Sequence, residues 1–217
     1  MANPDKCLED VRVVVDRLSN FDAVIFDIGN VLITCGADYM FNGVLRYPRD
    51  RTHLFLTKVL DAEAIGRIDE GELIAEVVAE RATLYPEFRE WLYLYRDNWE
   101  LTMGPCISEM VYLAENVIGT CVPTYSLSNW PVEKIGELES RLPVLRKFEG
   151  LLFSGQIGIR KPKKGFFRQA AKSFSLASPH RCLFIDDVLA NVTAAREVGY
   201  SAVMFEGFDK LVDWSKE

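Results

Sequence analysis

Four sets of side chains able to do chemistry recur in order along the chain. They are Asp27 in "AVIFDIGNVL" (23–32), Ser128 with Asn129 in "LSN", Lys161 in "GIRKP" (158–162), and the pair Asp186–Asp187 in "RCLFIDD" (181–187). Each has a plain structural reading by itself. An aspartate after a strand forms turns or caps helices. Ser128–Asn129 ahead of Pro131 reads as a helix N-cap. Lys161 reads as a solvated lysine, and the acid pair as a capped helix start. These readings do not explain why acid, hydroxyl, lysine and acid pair follow one another on successive strand ends. One crevice that binds a ligand at the carboxyl edge of a parallel sheet does explain it.

The elements that must position these residues alternate between strand and helix. "DAVIFDI" (22–28) is a short apolar run suited to a strand buried on both faces. Ile107, Met110, Val111, Ala114, Val117 and Ile118 mark one helix face, with Gly119 placed to end it. "CVPTYSL" (121–127), "LLFS" (151–154), "RCLFIDD" and "SAVMF" (201–205) read as further strands. Helices fall between them: one opening near Pro131, one carrying Phe166, Phe167, Ala170, Ala171 and Phe174, and one running to about Val198. The pattern predicts an α/β fold, a Rossmann-like parallel sheet with helices on both faces. From about Cys35 to Pro105 no convincing strand is visible. "RTHLFLTKVL", "DEGELIAEVVAERA" (Asp69 as N-cap, Glu72 three residues on) and "PEFREWLYLYRDNW" read as helices. The division expected is 1–34 with 106–217 as an α/β core and 35–105 as an inserted helical cap.

Bulk properties bound the function. The chain has 217 residues, 49% hydrophobic, 26% charged, with a formal charge of −7. That composition is ordinary for a globular protein and offers no basic stripe for nucleic acid. Five scattered cysteines without a C-x-x-C pair fit reduced thiols in a cytoplasm. The charge-interrupted N-terminus reads as an amphipathic helix with Leu8, Val11, Val15 and Leu18 inward, and as neither signal peptide nor membrane span. Oligomeric state is not legible.

The motifs "FDIGNV", "LSN", "RKP" and "FIDDVLANV" together resemble those of the haloacid dehalogenase superfamily of aspartate-nucleophile hydrolases, and the likeness extends over nearly all of the chain beyond its first 20 residues. The resemblance implies a nucleophilic Asp27 that forms a transient ester or acyl-phosphate. It implies Ser128 and Lys161 holding the transferring group, Lys161 also keeping Asp27 ionised, and Asn129 orienting substrate. It further implies a Mg²⁺ site made by Asp27, the Gly29 carbonyl, and Asp187 with Asp186. Asn191 is expected to prop that loop or cap its helix.

Phosphatases of this superfamily carry a second aspartate two residues after the nucleophile as general acid–base; the dehalogenases have a tyrosine there and need no metal. This chain has Gly29. The backbone carbonyl survives, and the lost side chain is worth roughly 10²–10⁴-fold. Adjacent acids beside a metal-free nucleophile would only repel it, so the acid pair favours a phosphatase. Bacterial sugar-phosphate phosphatases sharing "D-x-G-N-V" are similar to this chain. The expectation is Mg²⁺-dependent hydrolysis of a small phosphorylated metabolite, a sugar phosphate among the candidates, with no nucleic-acid or membrane partner. The alternatives are a 2-haloacid dehalogenase and a catalytically impaired member that binds a ligand or partner. A water, Asn30 or a cap acid such as Asp38 is left to replace the missing acid–base. Arg46, Arg51, His53 and Arg67 are the cap's candidates for substrate contact. "EWLYLYRDNW" reads as helical core with Trp91, Leu94 and Tyr95 on one face, and Cys35 as a thiol near the crevice that could be open to oxidation.

Overall fold

The computed structural model describes residues 4–217; Met1–Asn3 and the side chains before Leu8, including that of Cys7, lie outside the described residues. Its centre is a parallel sheet of five strands: β1 (Ala23–Phe26), β4 (Thr124–Ser128), β5 (Gly150–Phe153), β6 (Cys182–Asp186) and β7 (Ser201–Met204). The order across the sheet is β5-β4-β1-β6-β7, so β1 sits in the middle between β4 and β6. All four residues of β1 are at most 1% exposed, as a strand covered on both faces requires.

The two faces follow the period of two. Val24 and Phe26 point into a cluster with Val11, Val14 and Leu18 of helix α1 (Pro4–Leu18). Ala23 and Ile25 point into a second cluster with Phe166, Phe167, Ala194 and Ala195. The latter four come from α9 (Lys164–Ser173) and α10 (Leu189–Glu197). Along α1 the inward face is Val11, Val14 and Leu18; Leu8, expected inside, is 52% exposed. Strand β4 begins after Pro123, because a proline cannot donate to the ladder; its carbonyl instead accepts from Val24 N at 2.9 Å. The α/β part also carries α6 (Ser108–Gly119), α7 (Ile135–Arg141), α8 (Ser154–Ile157) and α11 (Phe208–Ser215).

Between the first two sheet strands the chain forms helices: α2 (Arg49–Leu54), α3 (Ala62–Asp69), α4 (Ile74–Leu84) and α5 (Arg89–Asp97). Their shared interior is aromatic. Trp91 stacks on Phe41 with ring centroids 5.2 Å apart and meets Phe88 edge-on at 5.6 Å. On α5 the buried residues are Leu92 and Tyr95, with Trp91 and Leu94 only half-buried at the sides. Two sequence expectations fail in this block. A short antiparallel ribbon, β2 (Ile33–Cys35) with β3 (Met103–Cys106), brackets the helices where no strand was foreseen. "MGPC" conceals it because Gly and Pro are poor strand residues. Asp69 also closes α3 instead of capping α4; Gly71 turns the chain at φ +102°, and Glu72 bonds Arg67 instead. The amide of Ile74 at the start of α4 donates to Glu133 of the α/β part, at 2.9 Å.

Because Phe167 is fully buried among Phe166, Phe184 and Tyr200, Phe167→Ala is expected to cost about 3–5 kcal/mol. Urea unfolding checks this; a midpoint equal to that of the parent would contradict the packing described.

Candidate functional site

Adjacent strands end together, so the residues just beyond their ends meet. Asp27 continues β1, its amide still donating to Ile185 O at 2.9 Å, and Asp186 ends β6 beside it. Ser128 ends β4 on the other side. Lys161 arrives from the loop before α9 and is 1% exposed. Its ammonium has three acceptors for three protons: Asp27 Oδ1 at 2.8 Å, Asp186 Oδ2 at 2.7 Å and the Leu127 carbonyl at 2.9 Å. Asn129 sets this loop. Its Nδ2 donates to Lys161 O at 3.0 Å and its Oδ1 accepts from Lys161 N at 2.9 Å. Both ends of that amide are thereby committed to the backbone that aims the lysine.

Asp186 is saturated as well. Its Oδ1 accepts from Val188 N at 2.8 Å and Asn191 Nδ2 at 2.9 Å; its Oδ2 accepts from Lys161 and, at 3.1 Å, from Asn191. Asn191 thus props the acid loop. On Asp27, Ile28 N (2.7 Å) and Lys161 both fall on Oδ1, which leaves Oδ2 for a ligand. Asp27, Asp186 and Asp187 bring carboxylate oxygens within 4.8 Å of one another. Three carboxylates then face one ammonium in a largely dry site. Burial, with Asp186 and Asp187 adding to it, holds the Asp27 carboxyl well above the usual carboxylate range against the pull of Lys161. Asp187 is raised too, by burial and then Asp186, with Lys161 and Asn30 opposing. Burial works against a charged Lys161, but Asp186 and Asp27 outweigh it and raise its affinity for the proton. The cluster is short of positive charge.

Gly29 has a steric explanation. After Asp27 the chain turns through Asn30, whose φ of +54° asparagine tolerates, and returns as β2. Asn30 Oδ1 accepts from Cys35 N at 3.0 Å, and the Cys35 sulfur lies 2.8 Å from where a Cβ on Gly29 would stand. The thiol fills the room a side chain would need. Burial and the nearby Asp27 and Asp187 push that thiol up to about 12, which works against the thiolate form that oxidation uses.

A cavity of about 370 Å³ opens over this cluster, lined by Asp27, Gly29, Ser128, Asn129, Lys161 and Asp187 at its floor. Its outer walls are Ile65, Asp69, Tyr95, Trp99, Trp130 and Val188. Arg46, Arg51, His53 and Arg67 are not among its lining. Arg67 bonds Glu72 and Glu80, and Arg51 stacks on Phe88 and Trp91. Asp38 pairs with Asn42 and lines a separate cavity. Sequence reasoning missed Asp69, which it had spent on a helix cap; the signal against that reading was Gly71 two residues on.

No family model matches the chain. A sesquiterpene phosphatase of Aspergillus oryzae is 30% identical over 188 residues, 83% of this chain and 88% of that protein. A drimenol cyclase of Aspergillus calidoustus is 32% identical over 99 residues, 46% of this chain; the matched segment is 18% of the cyclase, so the chain spans only a small part of that relative. Among solved structures, a HAD-like family hydrolase of Porphyromonas gingivalis superposes with a TM-score of 0.68 at 18% identity, covering 91% of this chain and 99% of that one. A HAD family enzyme of Bacteroides thetaiotaomicron, solved in complex with magnesium and inorganic phosphate, gives 0.62 at 18% identity over 84% and 92%. L-2-haloacid dehalogenase of Xanthobacter autotrophicus gives 0.62 at 14% identity over 85% and 77%. With a phosphatase relative along most of its length and the fold of these enzymes, the chain belongs to the haloacid dehalogenase (HAD) family of hydrolases.

Proposed function

We propose that the protein is a Mg²⁺-dependent phosphatase that cleaves a phosphate monoester of an apolar alcohol through an aspartyl-phosphate on Asp27. The observation that carries this reading is the trio of carboxylates around the single ammonium of Lys161, in a cavity whose other walls, Asp69 apart, are mainly aromatic and aliphatic. The donor set suits a hard divalent cation, all oxygen and net negative. Asp27, Asp187 and the Gly29 carbonyl would hold it, while the saturated Asp186 positions Lys161. When bound, Mg²⁺ neutralises negative charge on the phosphoryl group and on the carboxylates beside it.

The chain's own residues then divide the work. Asp27 Oδ2 attacks phosphorus and Ser128 holds a phosphoryl oxygen, while Lys161, its protons committed to Asp27, Asp186 and Leu127 O, orients Asp27 and offsets the negative charge around it. Asn129 acts on substrate only through Lys161, whose backbone it fixes. The helical segment 35–105 serves as the cap over the core formed by 1–34 and 106–217; it lends Ile65, Asp69, Tyr95 and Trp99 to the cavity wall. Those walls offer little to sugar hydroxyls and much to a hydrocarbon. In place of the sugar phosphate suggested by the motif, a terpenyl or similar alkyl phosphate fits better. The sesquiterpene phosphatase relative supports that choice. Adjacent acids favour phosphoryl transfer over halide displacement, which needs no cation. Among the described residues no helix is long and apolar enough to cross a membrane.

Incubation with p-nitrophenyl phosphate, farnesyl phosphate and glucose 1-phosphate, with Mg²⁺ or with chelator, tests the reading. Phosphate release is expected only with Mg²⁺, with kcat/KM greater for farnesyl than for glucose phosphate, and about 10³-fold or more lower in Asp27→Asn. Metal-independent chloride release from 2-chloropropionate would instead make it a dehalogenase, and inertness toward every ester would leave a binding protein.

The raised Asp27 carboxyl predicts a pH effect in chelator. A group whose proton affinity is higher folded than unfolded binds more protons in the native state, so the contribution of Asp27 to stability is complete below about pH 4 and is lost as pH rises toward about 8. The urea midpoint should decline from pH 5 to pH 8 in the parent and decline less in Asp27→Asn. Equal slopes would contradict it.

A further inference from the structure

The phosphatase reading leaves one role unfilled: a proton must reach the leaving oxygen and another must leave the attacking water. Gly29 has no side chain to do it, and the Cys35 sulfur occupies the space. Other groups on the cavity wall are unsuited. Lys161 spends its three protons on Asp27, Asp186 and the Leu127 carbonyl. Cys35 is pushed up to about 12. Tyr95, raised by burial, has its hydroxyl engaged by Trp99 Nε1 at 3.2 Å.

Asp69 differs. It is the last residue of α3, lines the same cavity as Asp27 and Lys161, and its side chain is 14% exposed. Contacts from the α/β part hold it there. Ser154 Oγ donates to the Asp69 carbonyl at 2.5 Å. Arg160, next to Lys161 in sequence, lies along α3: Nη2 donates to Ala62 O at 3.4 Å and Nη1 stands 3.9 Å from Asp69 Oδ2. Gly66 makes this approach feasible, since a Cβ there would sit 2.5 Å from the guanidinium. A carboxylate at a helix C-terminus faces the negative end of the dipole, and burial adds to that cost.

We propose that Asp69 is the general acid–base of this enzyme, supplied by the helical block in place of the side chain that Gly29 lacks. The inference rests on the phosphatase reading. As Asp27 Oδ2 bonds to phosphorus, the ester P–O bond breaks and its electron pair leaves with the alcohol oxygen, which takes the proton of the Asp69 carboxyl. The Asp69 carboxylate then accepts a proton from water as that water's oxygen attacks phosphorus. The Asp27–phosphorus linkage breaks, inorganic phosphate leaves, and Asp69 is again protonated. Burial pushes the Asp69 carboxyl up to about 7, with Arg160 and Lys161 pulling it down and Glu70 beside it pushing it up. Such a group divides its time between acid and base near neutral pH. The other ionisable neighbours on the cavity wall are Asp27, Asp187, Cys35 and Tyr95.

The Mg²⁺-loaded parent and Asp69→Asn are compared with p-nitrophenyl phosphate, whose leaving group needs no proton, and with n-octyl phosphate, whose leaving group does. Without the base, Asp69→Asn should give a p-nitrophenolate burst equal to the enzyme present, followed by turnover about 10²–10⁴-fold slower than the parent. Intact mass should then reveal a phosphate adduct, and the burst itself certifies a folded site. With n-octyl phosphate, kcat/KM should fall by about the same factor. Steady-state turnover of p-nitrophenyl phosphate within about threefold of the parent and no adduct would overturn the assignment, as would loss of the burst itself in a soluble variant. Should the variant be insoluble, the parent's own pH profiles decide. The ratio of n-octyl to p-nitrophenyl kcat/KM should fall above about pH 7, and a flat ratio overturns the assignment. A parent inert toward both esters sinks the phosphatase reading and the inference with it. An active parent with an indifferent Asp69→Asn sinks the inference alone.

Discussion

A lysine ammonium buried to 1% exposure, between Asp27 at 2.8 Å and Asp186 at 2.7 Å, joins three loops that would otherwise be independent. Such an ion cannot stay in a dry interior unless every proton is accepted, and Leu127 O takes the third. Much around it serves that end. Asn129 fixes the backbone of Lys161, Asn191 and Val188 N fix Asp186, and the β4-β1-β6 order brings the three strand ends side by side. Removing one partner would strand a buried charge, which costs far more than the pair contributes.

The same arrangement is unbalanced, with Asp187 as a third carboxylate against the single ammonium. Proteins tolerate raised carboxyl groups of this kind chiefly at working sites. The imbalance gives the cluster a use for a divalent cation. Gly66 and Gly29 each leave room for a neighbour. One lets Arg160 lie against α3, and the other lets the Cys35 thiol lie against the turn after Asp27.

Much of this was legible in the sequence. Short apolar runs located all five sheet strands, and those of β1, β4 and β6, which are buried along their length, lead into Asp27, Ser128 and Asp186. Asp27, Ser128, Lys161 and Asp187, grouped by their place at or just beyond the carboxyl ends of strands, line one cavity. What escaped were features set by contacts distant in sequence. Strand β3, "MGPC", has no strand character and exists because β2 pairs with it. The start of α4 is capped by Glu133 from 59 residues away, so Asp69 was free for other work. Arg67 and Arg51 of the helical block looked available until Glu72 and Glu80 claimed the one and the aromatic rings the other.

The central claim is that burial keeps a proton on the Asp27 carboxyl, pushed up to about 8, and that a divalent cation replaces it. Calorimetric titration of Mg²⁺ at pH 7, repeated in buffers of differing ionisation enthalpy, measures both binding and proton release. The account predicts uptake accompanied by release of protons to the buffer, with binding abolished in Asp187→Asn. Uptake without proton release, or undiminished uptake by Asp187→Asn, would contradict it.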